Sequence, residues 1–331
     1  MAHLCRKMIA TSAAMLLVLI GVMVLGLVLG SAERGAISFL KALVNPGEAD
    51  SLLSTIIWQI RFPRVIVAAL VGATLSLGGL VFQALLRNPL AEPYILGISG
   101  GAAIGAIIGI LLGFSRFFGV SLLAFSGGMA TLVLVLFIAA GRTLLKKEAL
   151  LLSGVMVNAF CSAVIMFLIS LTQDARIHNI MFWLMGDLSS AGKGEAIMIA
   201  VMVTPCFLLV FWLSNSMNLM LMGREMAHSM GVNVRVVYVA LLIISSFMVS
   251  ATVSHCGLVA FVGLVIPHLF RLLLGADHRV LVPACLFGGA SYLVLCDLLA
   301  RTLPQHGEMP AGVITAMVGA PVFIFLLRRT G

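Results

Sequence analysis

Long apolar blocks, separated by short polar segments, fill almost the whole sequence. A block of about 20 apolar residues is long enough to cross the hydrocarbon core of a bilayer as an α-helix. The blocks are continuous rather than alternating, which excludes a transmembrane β-barrel. We predict an all-α polytopic membrane protein with a single transmembrane domain over residues 1–331. The predicted spans are Met8–Leu29, Val65–Leu86, Ile95–Leu112, Phe118–Ala140, Leu150–Leu171, Ala196–Leu213, Val234–Val253, Leu258–Leu274, Val280–Leu299 and Ala311–Leu327.

Charged residues fall mostly between these ten spans, and their distribution predicts the orientation. With the N-terminus inside, the inner segments carry twelve basic and four acidic residues, and the outer segments carry eight of each. Basic residues accumulate on the cytoplasmic side of membrane proteins. We therefore predict an N-in, C-in topology. The first span exceeds the length of a signal-peptide core, so we expect it to be retained.

Composition supports the membrane class and excludes several functions. Hydrophobic residues make up 62% of the chain and charged residues 10%, and the net charge is +8. The inner segments account for that charge, so a nucleic-acid partner is not predicted. The six cysteines form no C-x-x-C pair and are interpreted as packing residues. Glycine pairs predict close helix packing, at Gly78-Gly79, Gly100-Gly101, Gly127-Gly128 and Gly288-Gly289.

Two common motifs for bond chemistry are absent from the sequence. It has no G-x-x-x-x-G-K-[ST] and no H-E-x-x-H, and its seven histidines lack metal-ligand spacing. We predict no catalytic, cofactor-binding or metal-binding residues. The acidic residues sit at or near span ends, which argues against an ion-coupled carrier. A secondary carrier or channel, and a membrane enzyme, remain alternatives of different classes.

One polar inner segment, about residues 215–233, is the first candidate for function. Glu225, Ala227 and Gly231 follow the pattern Glu-x-Ala-x-x-x-Gly, which resembles the coupling motif of ABC importer permeases, with Met226 in place of an alanine. We predict a short helix ended by Gly231 that a cytoplasmic ATPase can push. A solvated interhelical loop is the alternative.

Five further motifs occur in the order and spacing of one family. They are Arg61-Phe62-Pro63-Arg64, Asn88-Pro89-Leu90-Ala91-Glu92-Pro93, Trp183-Leu184-Met185-Gly186, the run from Phe261 to Arg271, and Gly319-Ala320-Pro321. Over about residues 55–331 the chain resembles the FecCD-type permeases of ABC importers for iron–siderophores, haem and cobalamin. The resemblance implies a type II ABC importer permease fold in the cytoplasmic (inner) membrane. It also implies three partners: a second permease copy, an extracytoplasmic substrate-binding protein, and a cytoplasmic ABC ATPase dimer that binds ATP and Mg.

The resemblance also implies roles for particular residues. Arg61, Arg64 and Arg301 match outer arginines that dock the binding protein, and we expect them near water just beyond the span ends; interfacial snorkelling is the alternative. The fifth span matches the helix that lines the translocation pathway. Its small, polar stripe of Gly154, Asn158 and Ser162 recurs every four residues, and helix–helix contact explains it equally well.

The last expectations concern the cargo and the structure of two further segments. The predicted cargo is an iron(III)–siderophore-type chelate, with cobalamin, haem and molybdate as alternatives. His255 and Gln305-His306 are candidate cargo contacts. Pro267-His268 is expected to break the helix of the eighth span, and Thr172–Glu195 is expected to hold a short surface helix.

Overall fold

The computed structural model describes residues 2–29, 54–140, 147–172, 174–304 and 307–330. Within these ranges the chain is helical and contains no strand. Short π-type turns at Ile56–Arg61 and Arg116–Val120, and a 3₁₀ turn at Pro93–Leu96, precede the helices that follow them. The α-helices are α1 Ala2–Val28, α2 Phe62–Leu86, α3 Ile98–Leu111, α4 Ser121–Ala140, α5 Lys147–Ser170, α6 Asp174–Leu184, α7 Lys193–Trp212, α8 Ser214–Leu221, α9 Arg224–Ser229, α10 Val234–Cys256, α11 Val262–Leu274, α12 His278–Thr302 and α13 Ala311–Thr330.

The predicted all-α polytopic fold is confirmed. Seven helices of the described ranges are long and apolar enough to cross a membrane, and the three shorter apolar helices α3, α11 and α13 account for the other predicted spans. The short helix expected within Thr172–Glu195 is α6. Gln305-His306, a candidate cargo contact, lies outside the described residues.

The second span begins earlier than predicted. The helical segment is continuous over Ile56–Leu86, so Arg61 and Arg64 lie inside it rather than before it. Pro63 is the second residue of α2, directly after the π-type turn Ile56–Arg61, and does not interrupt the segment. Charged residues at the edge of an apolar block are therefore part of the span.

The most deeply buried spans are α2 and α12, and their backbones touch at glycines. A Cβ atom on Gly289 would lie 2.5 Å from the carbonyl oxygen of Gly72, and a Cβ on Gly72 would overlap the carbonyl of Gly289. Gly101 of α3 and Gly127 of α4 face each other in the same way. The predicted role of the glycine pairs in close packing is confirmed at these contacts.

The predicted helix break at Pro267 is wrong, because α11 runs unbroken from Val262 to Leu274. Proline removes the N–H that would bond to the carbonyl of Gly263, four residues earlier. Gly79 of α2 lies against that carbonyl so closely that a Cβ there would overlap it, which allows a weak Cα–H contact. Gln83 also donates to the Leu264 carbonyl at 3.3 Å. Contacts from α2 thus replace the missing helix bond, as a membrane interior requires.

Contacts between helix termini define two ends of the bundle. At one end, Lys7 donates to the carbonyl of Leu274 and Arg87 donates to that of Met220. At the other, Arg61 donates to the carbonyl of Leu27 and Arg301 to that of Gly26. These groups match the residues predicted to lie inside and outside, and we call them the inner end and the outer end.

Candidate functional site

The inner segment forms two short helices, α8 and α9, between the spans α7 and α10. Gly231 follows α9 with φ +82°. Its N–H donates to the His228 carbonyl at 2.9 Å, and the Val232 N–H donates to the Ala227 carbonyl at 3.0 Å. This pair of bonds is a Schellman motif, which requires a left-handed residue at the position of Gly231. The prediction of a short helix ended by Gly231 is confirmed.

Side chains on α9 divide into one buried and several exposed positions. Ala227 is fully buried, whereas Glu225, Met226 and Met230 are exposed. Met226 and Met230 are four residues apart and therefore share one face. The alanine of the motif seats the helix on the bundle, while a carboxylate and two flexible apolar side chains project from the inner end.

Hydrogen bonds tie α8 to the inner ends of α2 and α12. Arg87, at the end of α2, donates to the Met220 carbonyl at 2.6 Å. Asn218 donates to Asp277 at 2.7 Å, and its own side-chain oxygen accepts the His278 backbone N–H at 2.8 Å. Hydrogen bonds from Arg279 lower the pKa of Asp277 to about 2, so this carboxylate stays ionised. These bonds connect α8 directly to the inner ends of two long spans.

The three arginines predicted to dock a partner are buried, at 4–5% exposure. The expectation that Arg61, Arg64 and Arg301 lie near water is wrong for the subunit, because the helical segment Ile56–Leu86 extends past the first two and the end of α1 lies against Arg61 and Arg301. Arg61 donates to the carbonyls of Leu27 and Val28 at 2.8 and 3.0 Å. These carbonyls belong to the C-terminal end of α1, where a helix leaves acceptors unsatisfied.

Arg64 and Arg301 belong to an ion-pair network. Arg64 lies 2.9 Å from Asp297 and 2.5 Å from Glu308. Arg301 Nε lies 3.1 Å from an Asp297 carboxylate oxygen, although its hydrogen bond goes to the Asp297 backbone carbonyl at 3.4 Å. We call Arg61, Arg64, Asp297, Arg301 and Glu308 the outer charge cluster. Its three cations and two anions leave one positive charge at the outer end.

Asp297 was predicted in an outer segment, but it lies within α12, near the outer end of that helix, and is fully buried. Its charge is matched by Arg64 and Arg301, so it differs from the unpaired carboxylate typical of ion-coupled carriers. This pairing is therefore evidence against such a carrier.

The stripe on α5 faces different neighbours along its length. A Cβ on Gly154 would overlap the carbonyl of Ile95, and a Cβ on Gly100 would lie 3.0 Å from the Asn158 side-chain oxygen. Ser162 is exposed and donates to the Asn158 carbonyl at 2.9 Å. Helix packing thus accounts for Gly154 and Asn158 in the single subunit, and Ser162 is the member that remains accessible.

Sequence reasoning missed a cavity of about 540 Å³ at the outer end, which we call the outer cavity. Residues of α6 and of the segments flanking α3, α4 and α7 line it: Ile110, Gly113, Phe114, Arg116, Val120, Arg176, His178, Asn179, Phe182, Trp183, Asp187 and Ser189. Ligand sites commonly have volumes of about 300–1,000 Å³. The sequence signal is weak, because Arg116, Arg176 and Asp187 look like ordinary charges of the outer segments.

The floor of the outer cavity is polar. Arg116 donates to the Asp187 carboxylate at 2.8 Å, and the Ser189 N–H donates to the same carboxylate at 2.8 Å. Burial raises the pKa of Asp187, but these bonds lower it by more, so the pKa lies below its usual value. Among the described residues, Trp183 Nε1 and Arg116 Nε have no acceptor. An unsatisfied buried donor costs about 1–3 kcal/mol.

The remaining candidates are the predicted cargo contact His255 and a possible metal site. His255 is buried at the outer end, with its Nδ1 3.2 Å from the Ser121 hydroxyl. In the described part of the chain no three His, Cys, Asp or Glu side chains gather as metal ligands.

Comparisons with known proteins agree with this architecture. The FecCD transport family model matches residues 16–329. The hemin transport system permease protein HmuU of Yersinia pestis is 37% identical over 311 residues, which is 92% of each chain. The vitamin B12 import system permease protein BtuC of Escherichia coli is 37% identical over 292 residues, 87% of this chain and 88% of that protein. A solved metal-chelate type ABC transporter in an inward-facing conformation matches with a TM-score of 0.84 and 30% identity, over 96% of this chain and 98% of that one.

Proposed function

Because this chain belongs to the FecCD transport family, and is thus an ABC importer permease, we propose that its cargo is an iron(III)–siderophore-type chelate. The chain has the type II importer fold and is a multi-pass protein of the inner membrane. It receives the chelate from a binding protein and releases it to the cytoplasm. The observation that carries this mechanism is α9, an exposed helix ended by Gly231 at the inner end.

Coupling to ATP hydrolysis is assigned to Glu225, Ala227 and Gly231. Ala227 anchors α9 to the bundle, and Gly231 fixes the end of the helix. The exposed Glu225, Met226 and Met230 enter a cleft on the partner ATPase dimer, which binds ATP and Mg. Closure of that dimer moves α8, and the bonds of Arg87 and Asn218 carry the movement to α2 and α12.

Docking of the binding protein is assigned to the outer charge cluster in a revised form. Arg61, Arg64 and Arg301 are buried, and Glu308 is the partly exposed acid bound to Arg64. An acidic residue of the binding protein approaches Arg64 by exchange with Glu308. The residual positive charge of the cluster favours such an acid and fixes the orientation of docking.

The pathway and the second subunit are assigned to α5. Its exposed side chains include Leu152, Met156 and Phe160, together with Ser162. An exposed apolar helix carrying a small polar residue suits an interface with a second copy of the chain. In such a homodimer, the two copies of α5 enclose the pathway, and Ser162 faces the cargo.

Haem is the second candidate cargo, favoured by the 37% identity to the hemin transport permease. Cobalamin has similar support from the vitamin B12 permease. All three cargoes are bulky metal chelates, which a wide pathway holds by shape and weak contacts rather than by metal ligands.

ATP-dependent uptake into proteoliposomes tests the proposal. The vesicles contain the permease, its ATPase and its binding protein, and are offered radiolabelled iron–siderophore, haem and cobalamin. Glu225→Ala should lose at least 90% of uptake (about tenfold, or 1.4 kcal/mol in coupling), whereas Glu148→Ala, which neutralises another exposed acid at the inner end, should retain it. Uptake that continues without the ATPase, or follows an ion gradient, would show a carrier or channel instead.

A further inference from the structure

The outer cavity has an exposed rim and a buried floor. Phe114, Arg176, His178 and Asn179 on the rim are exposed, whereas Val120, Trp183 and Asp187 on the floor are buried. We propose that this cavity binds the carboxylate group of a chelate as the chelate passes from the binding protein into the permease. The identification of that chelate as cargo rests on the proposed function.

Unpaired donors at the floor call for an acceptor. Trp183 is only 3% exposed, lines the cavity, and has no acceptor for its indole N–H among the described residues. Arg116 lines the same cavity, and its Nε–H is also unpaired there. Both donors belong to residues that line this cavity, and a carboxylate is a strong acceptor for both indole and guanidinium groups.

Charge in the cavity favours an anion over a neutral acceptor. The Asp187 carboxylate already accepts from Arg116 and from the Ser189 backbone, so one arginine charge is matched. Arg176 adds a second cation on the rim, where it donates to the Leu111 carbonyl. Among the residues that line the cavity, two arginines and one aspartate leave one positive charge, which suits one carboxylate of the ligand.

The rim provides apolar contact for the body of a chelate. The ring centroids of His178 and Phe182 lie 4.4 Å apart, and Phe114 is exposed across the same opening. Aromatic rims of this kind bind ligands that have flat or apolar surfaces. The site is concave and has a buried floor, so it suits a small molecule better than the surface of a partner protein, whose interface has a polar rim.

The location suits a stage early in transport. Helix α6, which contributes most of one wall, follows α5 directly in the chain. The outer cavity therefore lies at the outer end of the helix assigned to the pathway. A chelate held there by one carboxylate is placed at the entrance without contact to its metal.

Fluorine NMR of the full-length permease in lipid nanodiscs tests the site without transport. The chain has three tryptophans, so 5-fluorotryptophan labelling gives three signals. The probes are succinate and the uncharged succinamide. We expect a saturable shift of the Trp183 signal with succinate, at least about tenfold weaker binding of succinamide, and no shift for Trp212 at the opposite end of α7. Equal shifts with both probes, or none, would overturn the proposal.

The Arg116→Lys variant tests the contribution of the Arg116 Nε–H to binding. Lysine keeps a positive charge beside Asp187 but lacks the Nε–H. We expect the succinate dissociation constant to rise about five- to tenfold. An unchanged constant would remove Arg116 from the site.

Two further additions to the wild-type sample show whether the carboxylate comes from the chelate or from the binding protein. Iron(III)–citrate should shift the Trp183 signal, whereas the substrate-free binding protein should not. A shift with the binding protein alone would assign the carboxylate to that protein and overturn the cargo proposal.

Uptake by the complete importer connects the site to transport. Trp183→Phe should raise the KM for iron(III)–citrate several-fold, leave kcat unchanged, and leave uptake of a carboxylate-free hydroxamate chelate unchanged. Trp212→Phe is the matched control. If neither chelate is transported, the proposed iron-chelate function fails, while the NMR result still decides whether the cavity binds a carboxylate.

Discussion

Replacing Asp297 by asparagine tests whether the outer charge cluster is a desolvated network. Asp297 has no exposed surface, and two arginines lie within 2.9 and 3.1 Å of its carboxylate. The Asp297→Asn substitution keeps the shape of the side chain but removes its charge, which leaves Arg301 buried without a carboxylate close to it. Removing one partner of a buried ion pair costs about 3–5 kcal/mol. We expect the free energy of unfolding to fall by about that amount.

Glu308→Gln is the matched control, because Glu308 binds the same arginine but its side chain is 39% exposed. Exposed ion pairs contribute about 0–1 kcal/mol. The assay is equilibrium unfolding in mixed micelles titrated with sodium dodecyl sulfate and followed by helical circular dichroism. Losses for the two variants that agree within about 1 kcal/mol would refute the reasoning, since Asp297 would then behave as a solvated acid.

Three further substitutions test packing, coupling and pH dependence. Gly79→Ala drives a Cβ into a facing backbone carbonyl, so we expect loss of folded protein in size-exclusion chromatography, whereas Gly21→Ala, with open space around it, should fold normally. Gly231→Ala places a side chain at φ +82° at a cost of about 1–2 kcal/mol, and ATPase stimulation by the binding protein should fall at normal yield; Gly192→Ala, at an open position, is its control. Asp277→Asn should lose about 1 kcal/mol of stability at pH 7. That loss should shrink between about pH 4 and pH 2, because the folded pKa of about 2 lies below the unfolded value and the stabilisation disappears as the pH falls through it. Equal yields, unchanged stimulation, or a loss that persists at pH 2 would contradict the respective prediction.

The spans and the end of α9 could be predicted because each depends on local sequence. An apolar block of sufficient length forms a span whatever its neighbours are. A left-handed position after a short helix selects glycine, so Gly231 marked the end of α9 from the sequence alone.

Features that depend on distant partners could not be predicted. Arg64 and Asp297 are separated by 233 residues, and nothing in the local pattern of either indicates the other. From the sequence, the side chain of an arginine at the edge of an apolar block can equally well be solvated by water or form a buried ion pair. Trp183 and Arg116 belong to different segments, so their shared cavity follows only from the packing of α6 against the ends of α3 and α4.

Pro267 shows a different limit of sequence reasoning. Its effect on a helix depends on whether another element approaches the freed carbonyl. Gly79, on a helix much earlier in the chain, provides that approach and lets α11 continue. A rule for the isolated helix therefore gave the wrong result for the packed one.

The pair formed by α2 and α12 connects the two functional ends of the subunit. At the inner end, Arg87 after α2 bonds to Met220 of α8, and Asn218 of α8 bonds to Asp277 and His278 at the start of α12. In the middle, Gly72 and Gly289 bring the two backbones into direct contact. Neither glycine has a side chain that would hold the helices apart at this point. At the outer end, the Arg64–Asp297 ion pair joins them again. Because close-packed interiors transmit displacement rather than absorb it, a movement of α8 reaches the outer charge cluster through a pair held at three levels. Under the proposed function, the burial of the arginines thus has a mechanical consequence: the residues assigned to docking are fixed to the same two helices that the proposed coupling segment contacts.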